Sequence, residues 1–485
     1  MKVKVQVVIE SESGEPEAVE EVAVLDRGAL RTEDLGLTLA EAKDLLRGLQ
    51  QTIVTHQVNQ HVAEHSACSA CARPLRRKGK HTISFRTLFG KLTLESPRYY
   101  ACACQKRPER LSLSPLAELL KERSAPELSY LEAKFVSLSP YGVTAALLAE
   151  LLPIGSSIST ASLHRNLERV AARLESELGE EKGQFIEGCP RDWEQLPPPN
   201  PPLTVGLDGG YVHAKDQPSR TEGWFEVIAG KSVPAEGPAR RFAFVNKYDT
   251  KRRRRLFEVL KSQGLQMNQQ VVFLSDGGET VRDLQSYLSP ESEHWLDWFH
   301  ITMRLTVMGQ MLKGAATEIP TKAVEDQDDE TPNGEDIQEV EKNLDSLKWN
   351  LWHGNVYRAL QVVDRLEFDL ETIAEYSESA KKLLRTLYEF GQYIKANRVF
   401  IPNFGDRYRH GEAISTAFVE STINQVVSKR MVKRQQMRWS QRGAHLLLQV
   451  RTRALDGVLR DDFVRWHPGM KPVAGAQADQ CRNAA

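Results

Sequence analysis

Two short apolar runs end in the same three residues: residues 203–210 read LTVGLDGG and residues 271–278 read VVFLSDGG. Each has the pattern of a buried strand closed by an aspartate and two glycines. Asp208 and Asp276 therefore project from strand ends where the glycines let other atoms approach the backbone closely. Paired aspartates repel unless a divalent cation neutralises them, and two hard cations about 4 Å apart are what phosphoryl transfer on nucleic acid uses. That chemistry asks for a third carboxylate. Glu420, in ISTAFVESTINQVVSKRM, is the first candidate, because Val419, Ile423, Val426 and Arg430 share one helical stripe with Glu420 and Asn424 beside it; Glu412 is the second. Lys429, Arg430, Lys433 and Arg434 follow Glu420 and suit phosphate contacts beside such a site.

A different donor set lies near the N-terminus. Cys68-Ser-Ala-Cys71 and Cys102-Ala-Cys104 form two short thiol knuckles. Each knuckle presents two sulfurs from a turn, and two knuckles about thirty residues apart suit one tetrahedral zinc. Between them Ile83, Phe85, Leu92 and Leu94 alternate in phase about a turn at Phe89-Gly90-Lys91, the β-hairpin of a zinc ribbon. Cys189 and Cys481 are isolated, and His56, His61 and His65 read as exposed helix positions. Residues 294–300, HWLDWFH, pose a separate question: on composition they are a buried strand in which Asp297 and His300 form a satisfied polar pair.

These groups need elements to position them. A chain of 485 residues implies about two to four domains. Residues 1–66 read as a strand followed by a helix capped by Thr38, and residues 67–110 as the zinc-ribbon-like module. Residues 111–187 are helical, with the order short helix, break, second helix. There Leu163, Leu167, Val170 and Leu174 line one face and leave Arg165, Asn166, Arg169 and Arg173 outward. That is the helix-turn-helix plan for entering a DNA groove, although a plain helical bundle has the same periodicity. Residues 188–202 are a proline-rich linker. From residue 203 to 309 the order is strand, hairpin, helix, strand, which opens a ribonuclease-H-like fold. Residues 310–399 are an all-α insertion, where Trp349 and Trp352 read as packing, with stacking on an extruded base as the alternative. Residues 400–465 return to the catalytic domain with the Glu420 helix, and residues 466–485 are a tail.

Charge is balanced overall, 64 Lys plus Arg against 65 Asp plus Glu, so nothing global announces a polyanion partner. The run KRRRR at residues 251–255 and the basic stretch at 429–442 permit a local track, although such runs are more often solvated faces. No apolar stretch reaches the about 20 residues of a membrane helix, and no signal-peptide core opens the chain, so a cytoplasmic protein is expected.

In combination, LDGGYV, SDGGE, LDWFHITMRL and the late FVESTINQVVSKRMVKRQQMRWSQRGAHLLLQVR resemble bacterial insertion-sequence DDE transposases of the Kra type, over nearly the whole chain. The resemblance implies an α/β, ribonuclease-H-like catalytic domain with a helical insertion, preceded by N-terminal modules that bind transposon ends. It implies two Mg²⁺ (or Mn²⁺) ions held by Asp208, Asp276 and Glu420, and double-stranded DNA as partner, as transposon end and as target. It also implies a homo-oligomer for pairing two ends. The related D-x-x-H signature matches Asp297 and His300 and makes them supports of that site. The rival functions are a nuclease that cuts without joining, and a zinc-ribbon and helix-turn-helix DNA-binding regulator.

Overall fold

A computed structural model describes residues 1–10, 15–28, 31–104, 112–154, 158–215, 223–278, 284–285, 287–319, 332, 334–432 and 438–470. The protein is mixed α/β and divides into two compact units, one from residues 1–172 with those from 457 on, the other from residues 173–456.

In the first unit, β1 (Lys2–Glu10) and β2 (Pro16–Asp26) form an antiparallel hairpin, followed by α1 (Leu39–Glu64). Thr38 caps α1 as its sequence predicts: its hydroxyl accepts from Glu41 N while the Glu41 carboxylate accepts from Thr38 N. The second hairpin, β3 (Arg77–Thr87) and β4 (Gly90–Tyr100), pairs Ile83 with Leu94 and Phe85 with Leu92, so the expected alternation holds. Its turn is tighter than expected. Thr87 pairs with Gly90, leaving Leu88 and Phe89 at the tip, and Gly90 has φ +139°, which explains the glycine there. Ile83, Leu92 and Leu94 pack with Leu116 and with Val54 and Val58 of α1.

After β5 (Ser112–Leu113) and α2 (Pro115–Leu119) come α3 (Pro126–Leu138), α4 (Tyr141–Leu151) and α5 (Thr160–Glu177), and the division between units falls inside α5. Leu163, Leu167, Val170 and Leu174 are all buried, the stripe the spacing calls for. α6 (Pro190–Glu194) lies in the proline-rich stretch, which is hydrogen-bonded along its length: Asn268 Nδ2 donates to Pro197 O, Asn200 N to Gln266 Oε1 and Gln269 Nε2 to Pro201 O.

The second unit is built on a five-stranded sheet of β6 (Leu203–His213), β7 (Trp224–Val233), β8 (Arg240–Val245), β9 (Val271–Ser275) and β10 (Ser292–Leu296), in the order β10-β9-β6-β7-β8. β6, β7 and β8 form an antiparallel meander, while β9 and β10 run parallel to β6. All five residues of β9 are buried, as a parallel strand covered on both faces requires. α7 (Arg252–Ser262) contributes Leu256 and Leu260 to one core together with Leu203, Val205, Phe242 and Phe273.

Next come α8 (Trp298–Glu318), α9 (Gly334–Trp352), α10 (Val356–Ala374), α11 (Glu378–Ala396) and α12 (Phe404–Arg409), which share a separate core including Leu312, Leu347, Leu366, Leu387 and Phe404. Trp352 belongs to it, between Trp298 and Tyr408, whereas Trp349 is exposed. α13 (Ala417–Ile423) runs directly into a π-helix over Asn424–Val432, and α14 (Gln441–Leu455) returns against β8. Buried Arg451 braces this segment, donating to Gln425 O and Val426 O. α15 (Leu459–Trp466) closes the described chain in the first unit, its Phe463 ring edge-on to Tyr130 at 5.6 Å.

Candidate functional site

The four cysteines converge. Cys68 Sγ lies 3.6 Å from Cys104 Sγ and Cys71 Sγ lies 3.5 Å from Cys102 Sγ, and all four sulfurs fall within 4.8 Å of one another. Sulfurs each about 2.3 Å from one ion at tetrahedral angles stand about 3.8 Å apart, so the cluster has metal-binding dimensions. The first knuckle is made by a tight turn between α1 and β3: Ala72 N donates to Cys68 O, Cys68 N to Arg73 O, and Ala72 takes φ +56°, which an L-residue adopts only at a cost. The N–H groups of Ala70 and Cys71 point at Cys68 and pull its thiol down to about 6, while hydrogen bonding among the sulfurs, Cys102 foremost, pushes Cys104 up to about 12. Left to itself the cluster favours one thiolate and holds back another. Four thiolates together need a cation.

The carboxylates meet by sheet register. The β6–β9 ladder runs from Leu203↔Val271 to Gly206↔Leu274, and two further steps bring Asp208 opposite Asp276. β10 pairs Leu296 with Ser275, so the next step sets Asp297 beside Asp276. Three aspartates thus stand at one level, Asp276 and Asp297 just past the ends of β9 and β10; Asp208, expected at a strand end, lies in mid-strand instead, because β6 runs on to His213 in its antiparallel pairing with β7. Asp208 is half-buried and Asp276 exposed. Burial pushes the Asp208 carboxyl up, the Gly209 N–H and the nearby His300 oppose it, and the charges of Asp276 and Asp297 add to the rise. Its Oδ1 accepts from Gly209 N at 2.7 Å, and Asp276 Oδ1 accepts from Gly278 N at 3.1 Å. Gly277, at φ +88°, leaves no room for a side chain, since a Cβ would stand 2.7 Å from Asn397 Oδ1.

Asp297 is fully buried and is not part of the strand, as the composition of its surroundings suggests, but the N-cap of α8, accepting from Phe299 N at 2.8 Å. The same carboxylate accepts from Thr416 N at 3.0 Å and from the Thr416 hydroxyl, and His300 Nε2 lies 3.6 Å from it. Thr416 immediately precedes α13. Asp297 therefore ties the end of β10 to the start of the helix that carries Glu420.

That helix lies on the Asp208 face of β6. A Cβ on Gly206 would stand 2.1 Å from Val419 Cγ2, and one on Gly210 would stand 3.5 Å from Ile423 Cγ2, so α13 spans the strand on both sides of Asp208. Residue 420 sits on this turn; its side chain lies outside the described part of the structure. Glu412, the second candidate, is exposed and ion-paired to Arg407 at 2.7 Å.

The basic residues sort differently from their sequence expectation. Arg430 is completely buried with its guanidinium 5.2 Å from the Trp439 ring, so it faces the core and not DNA; it shares the apolar stripe of Val419 and Val426. Lys429 is exposed, and Lys433 and Arg434 lie outside the described residues. On α5, Asn166 is buried and donates to Ser129 O, and Arg169 reaches Ser129 Oγ and Asn166 Oδ1, so these two tie α5 to α3. Arg165 is exposed and Arg173 is half-buried beside Glu177.

The KRRRR run is consumed by structure. Lys251, Arg254 and Arg253 donate to the carbonyls of Gly179, Leu178 and Gly183, while Arg255 is buried among Asp249, Glu175 and Gln449. Thr416, and Tyr393 donating its hydroxyl to Asp276 O at 3.0 Å, escape sequence reading. Both sit more than a hundred residues from the aspartate they touch, with no motif around them.

No protein-family model matches the chain, and no curated protein matches it. Among the described residues no helix is long and apolar enough to cross a membrane.

Proposed function

We propose that the protein is a DNA transposase of an insertion sequence, cutting element ends and joining the freed 3′-hydroxyl to target DNA with a divalent-metal site of Asp208, Asp276 and Glu420. The observation that carries this reading is the register: continued past its last pairs, it sets Asp208 in β6 level with Asp276 just after β9 and with Asp297 just after β10. The strand order supports a ribonuclease-H-like domain, since a three-strand antiparallel meander is extended on its first strand by two parallel strands.

The residues suit hard cations: carboxylate oxygens, no ion pair from Lys or Arg to Asp208 or Asp276 among the described residues, and a half-buried Asp208 whose charged form is disfavoured by its surroundings. Bound there, Mg²⁺ or Mn²⁺ would supply Lewis-acid activation of the attacking oxygen and charge neutralisation at the leaving oxygen. The chain supplies the frame. Gly209 N fixes the Asp208 carboxylate, Gly278 N fixes Asp276, and the Asp297–Thr416 bonds hold the Glu420 helix against β6. His300 acts through Asp297 as a positioning residue. In the other unit, the four cysteines suit a structural zinc that organises a zinc-ribbon-like module, and α4 with α5 supports a helix-turn-helix-like DNA contact in which Arg165 is an exposed cation.

The test uses purified full-length protein, duplexes taken from each flank of the coding sequence, and Mg²⁺. Wild type is expected to nick and join these ends, and Asp208→Ala to lose at least on the order of 10³-fold in rate. Unchanged cleavage by Asp208→Ala rejects the site. Cleavage without joined product assigns a nuclease, and binding without Mg²⁺-dependent cleavage assigns a regulator.

A further inference from the structure

Arg304 stands out among the cations of the second unit. It lies one helical turn after His300 on α8, so the two side chains share a face. Its guanidinium carbon sits 4.2 Å over the ring of Tyr393, and the Tyr393 hydroxyl is bonded to the carbonyl of Asp276. His300 in turn approaches Asp297, which, like Asp276, lies one residue past the last β9–β10 pair, Leu296 with Ser275. Two independent tethers, one through α8 and one through α11, therefore bring Arg304 to the edge of the carboxylates. Arg304 is exposed, and no carboxylate among the described residues pairs with it. Stacking fixes the plane of a guanidinium while leaving the N–H groups along its edge free to donate.

We propose that Arg304 grips a backbone phosphate of the DNA strand lying across Asp208 and Asp276. This rests on the phosphodiester reading above. An arginine is always charged, and its fork matches two phosphate oxygens, so a stacked arginine beside an anionic site places one strand phosphate in a fixed position next to the carboxylates. Tyr393 sets the plane of Arg304 and the height of the Asp276 backbone together, coupling where the strand is held to where it is cut. The contrast with KRRRR is chemical: those five cations already donate to carbonyls, amides and carboxylates of their own chain, whereas Arg304 is exposed beside the Tyr393 ring.

The experiment uses the full chain carrying Asp208→Ala, so that bound DNA stays intact, and the flank duplexes as probe over a series of KCl concentrations. Arg304→Ala is expected to weaken binding about tenfold at low salt and to reduce the slope of log Kd against log salt by about one, the signature of one lost phosphate contact. Arg304→Lys, which keeps the charge and loses the fork, is expected to restore the slope with only part of the affinity. Unchanged slope and affinity in Arg304→Ala overturn the proposal, and so does an equal affinity loss in both variants without a slope change, which marks a purely structural stack. With Asp208 restored, the two readings separate. Wild-type cleavage with an unaltered Arg304→Ala slope sinks the phosphate contact alone. No cleavage with an altered slope sinks the phosphodiester reading and leaves Arg304 as a phosphate contact. A chain that binds neither flank overturns both.

Discussion

The cysteine cluster and the aspartate site are both assembled from pairs, but over different distances along the chain. Cys68 and Cys71 lie in one turn, Cys102 and Cys104 follow one hairpin, and that hairpin alone brings the four sulfurs together. Asp208 and Asp276 meet only after three strands and a helix have folded between them, and the Glu420 helix arrives from beyond a separate helical core. A local site is carried by spacing and a hairpin; a distributed one is carried by register and by small residues that let elements touch. The two should fail in different ways.

The largest expected effect falls on the local site. Structural zinc sites contribute on the order of 10 kcal/mol to small modules, so, with the proposed zinc at the four cysteines, Cys68→Ser, or a strong chelator, is expected to unfold the 67–104 region. Loss of hairpin amide protection, measured by hydrogen exchange, checks it. The comparison predicts confinement: β6 and β9 amides should keep their protection. Protection lost from the sheet as well would break the separation.

The distributed site should fail through packing. Gly206→Ala places a Cβ 2.1 Å from Val419 Cγ2, which forces α13 away from β6 at about 1–3 kcal/mol in stability. The expected signature is a modest drop in unfolding temperature with a much larger loss of the proposed strand cleavage, because residue 420 moves with the helix. Equal losses of stability and cleavage would mean that the helix position does not matter to the chemistry.

Legibility in the sequence follows the same division. The knuckles, the Ile83 and Leu92 alternation, the Thr38 cap and the strand end before Asp276 could be read because period, cap and turn chemistry are local, whereas the DGG at 208–210 lies inside β6, held there by pairing with β7 that its own residues do not announce. Asp297 could not be placed correctly, since its neighbours read as a strand and the partner that fixes it, Thr416, is 119 residues away. Arg430 could not be told from a DNA contact until the π-helix over Asn424–Val432 and Trp439 buried it. Nor did the KRRRR run reveal that its targets are carbonyls near the end of α5. Charge says what a side chain can bind, and only the fold says what it has already bound.

Glu132 asks whether the first unit is local throughout. It is fully buried on α3 with neither carboxylate oxygen hydrogen-bonded, and it faces Arg86 of β3 at 3.9 Å and, further off, Arg169 of α5. Burial pushes its carboxyl up to about 7, with Arg86 and Arg169 pulling the other way. Because the folded value lies above the unfolded one of 4.5, the protonated form suits the folded state. Its stabilising contribution is complete below pH 4.5 and is lost as pH rises through about 7, a difference of about 3 kcal/mol. Glu132→Gln keeps the shape and removes the titration. Denaturant unfolding of both proteins across this window should show wild type losing stability relative to the variant as pH rises, with the gap closing below pH 4.5. If the hairpin, α3 and α5 form one cooperative body, hydrogen exchange should report the change in all three together. A change confined to α3 would mean that the first unit is a string of local modules, each as self-contained as the cysteine cluster.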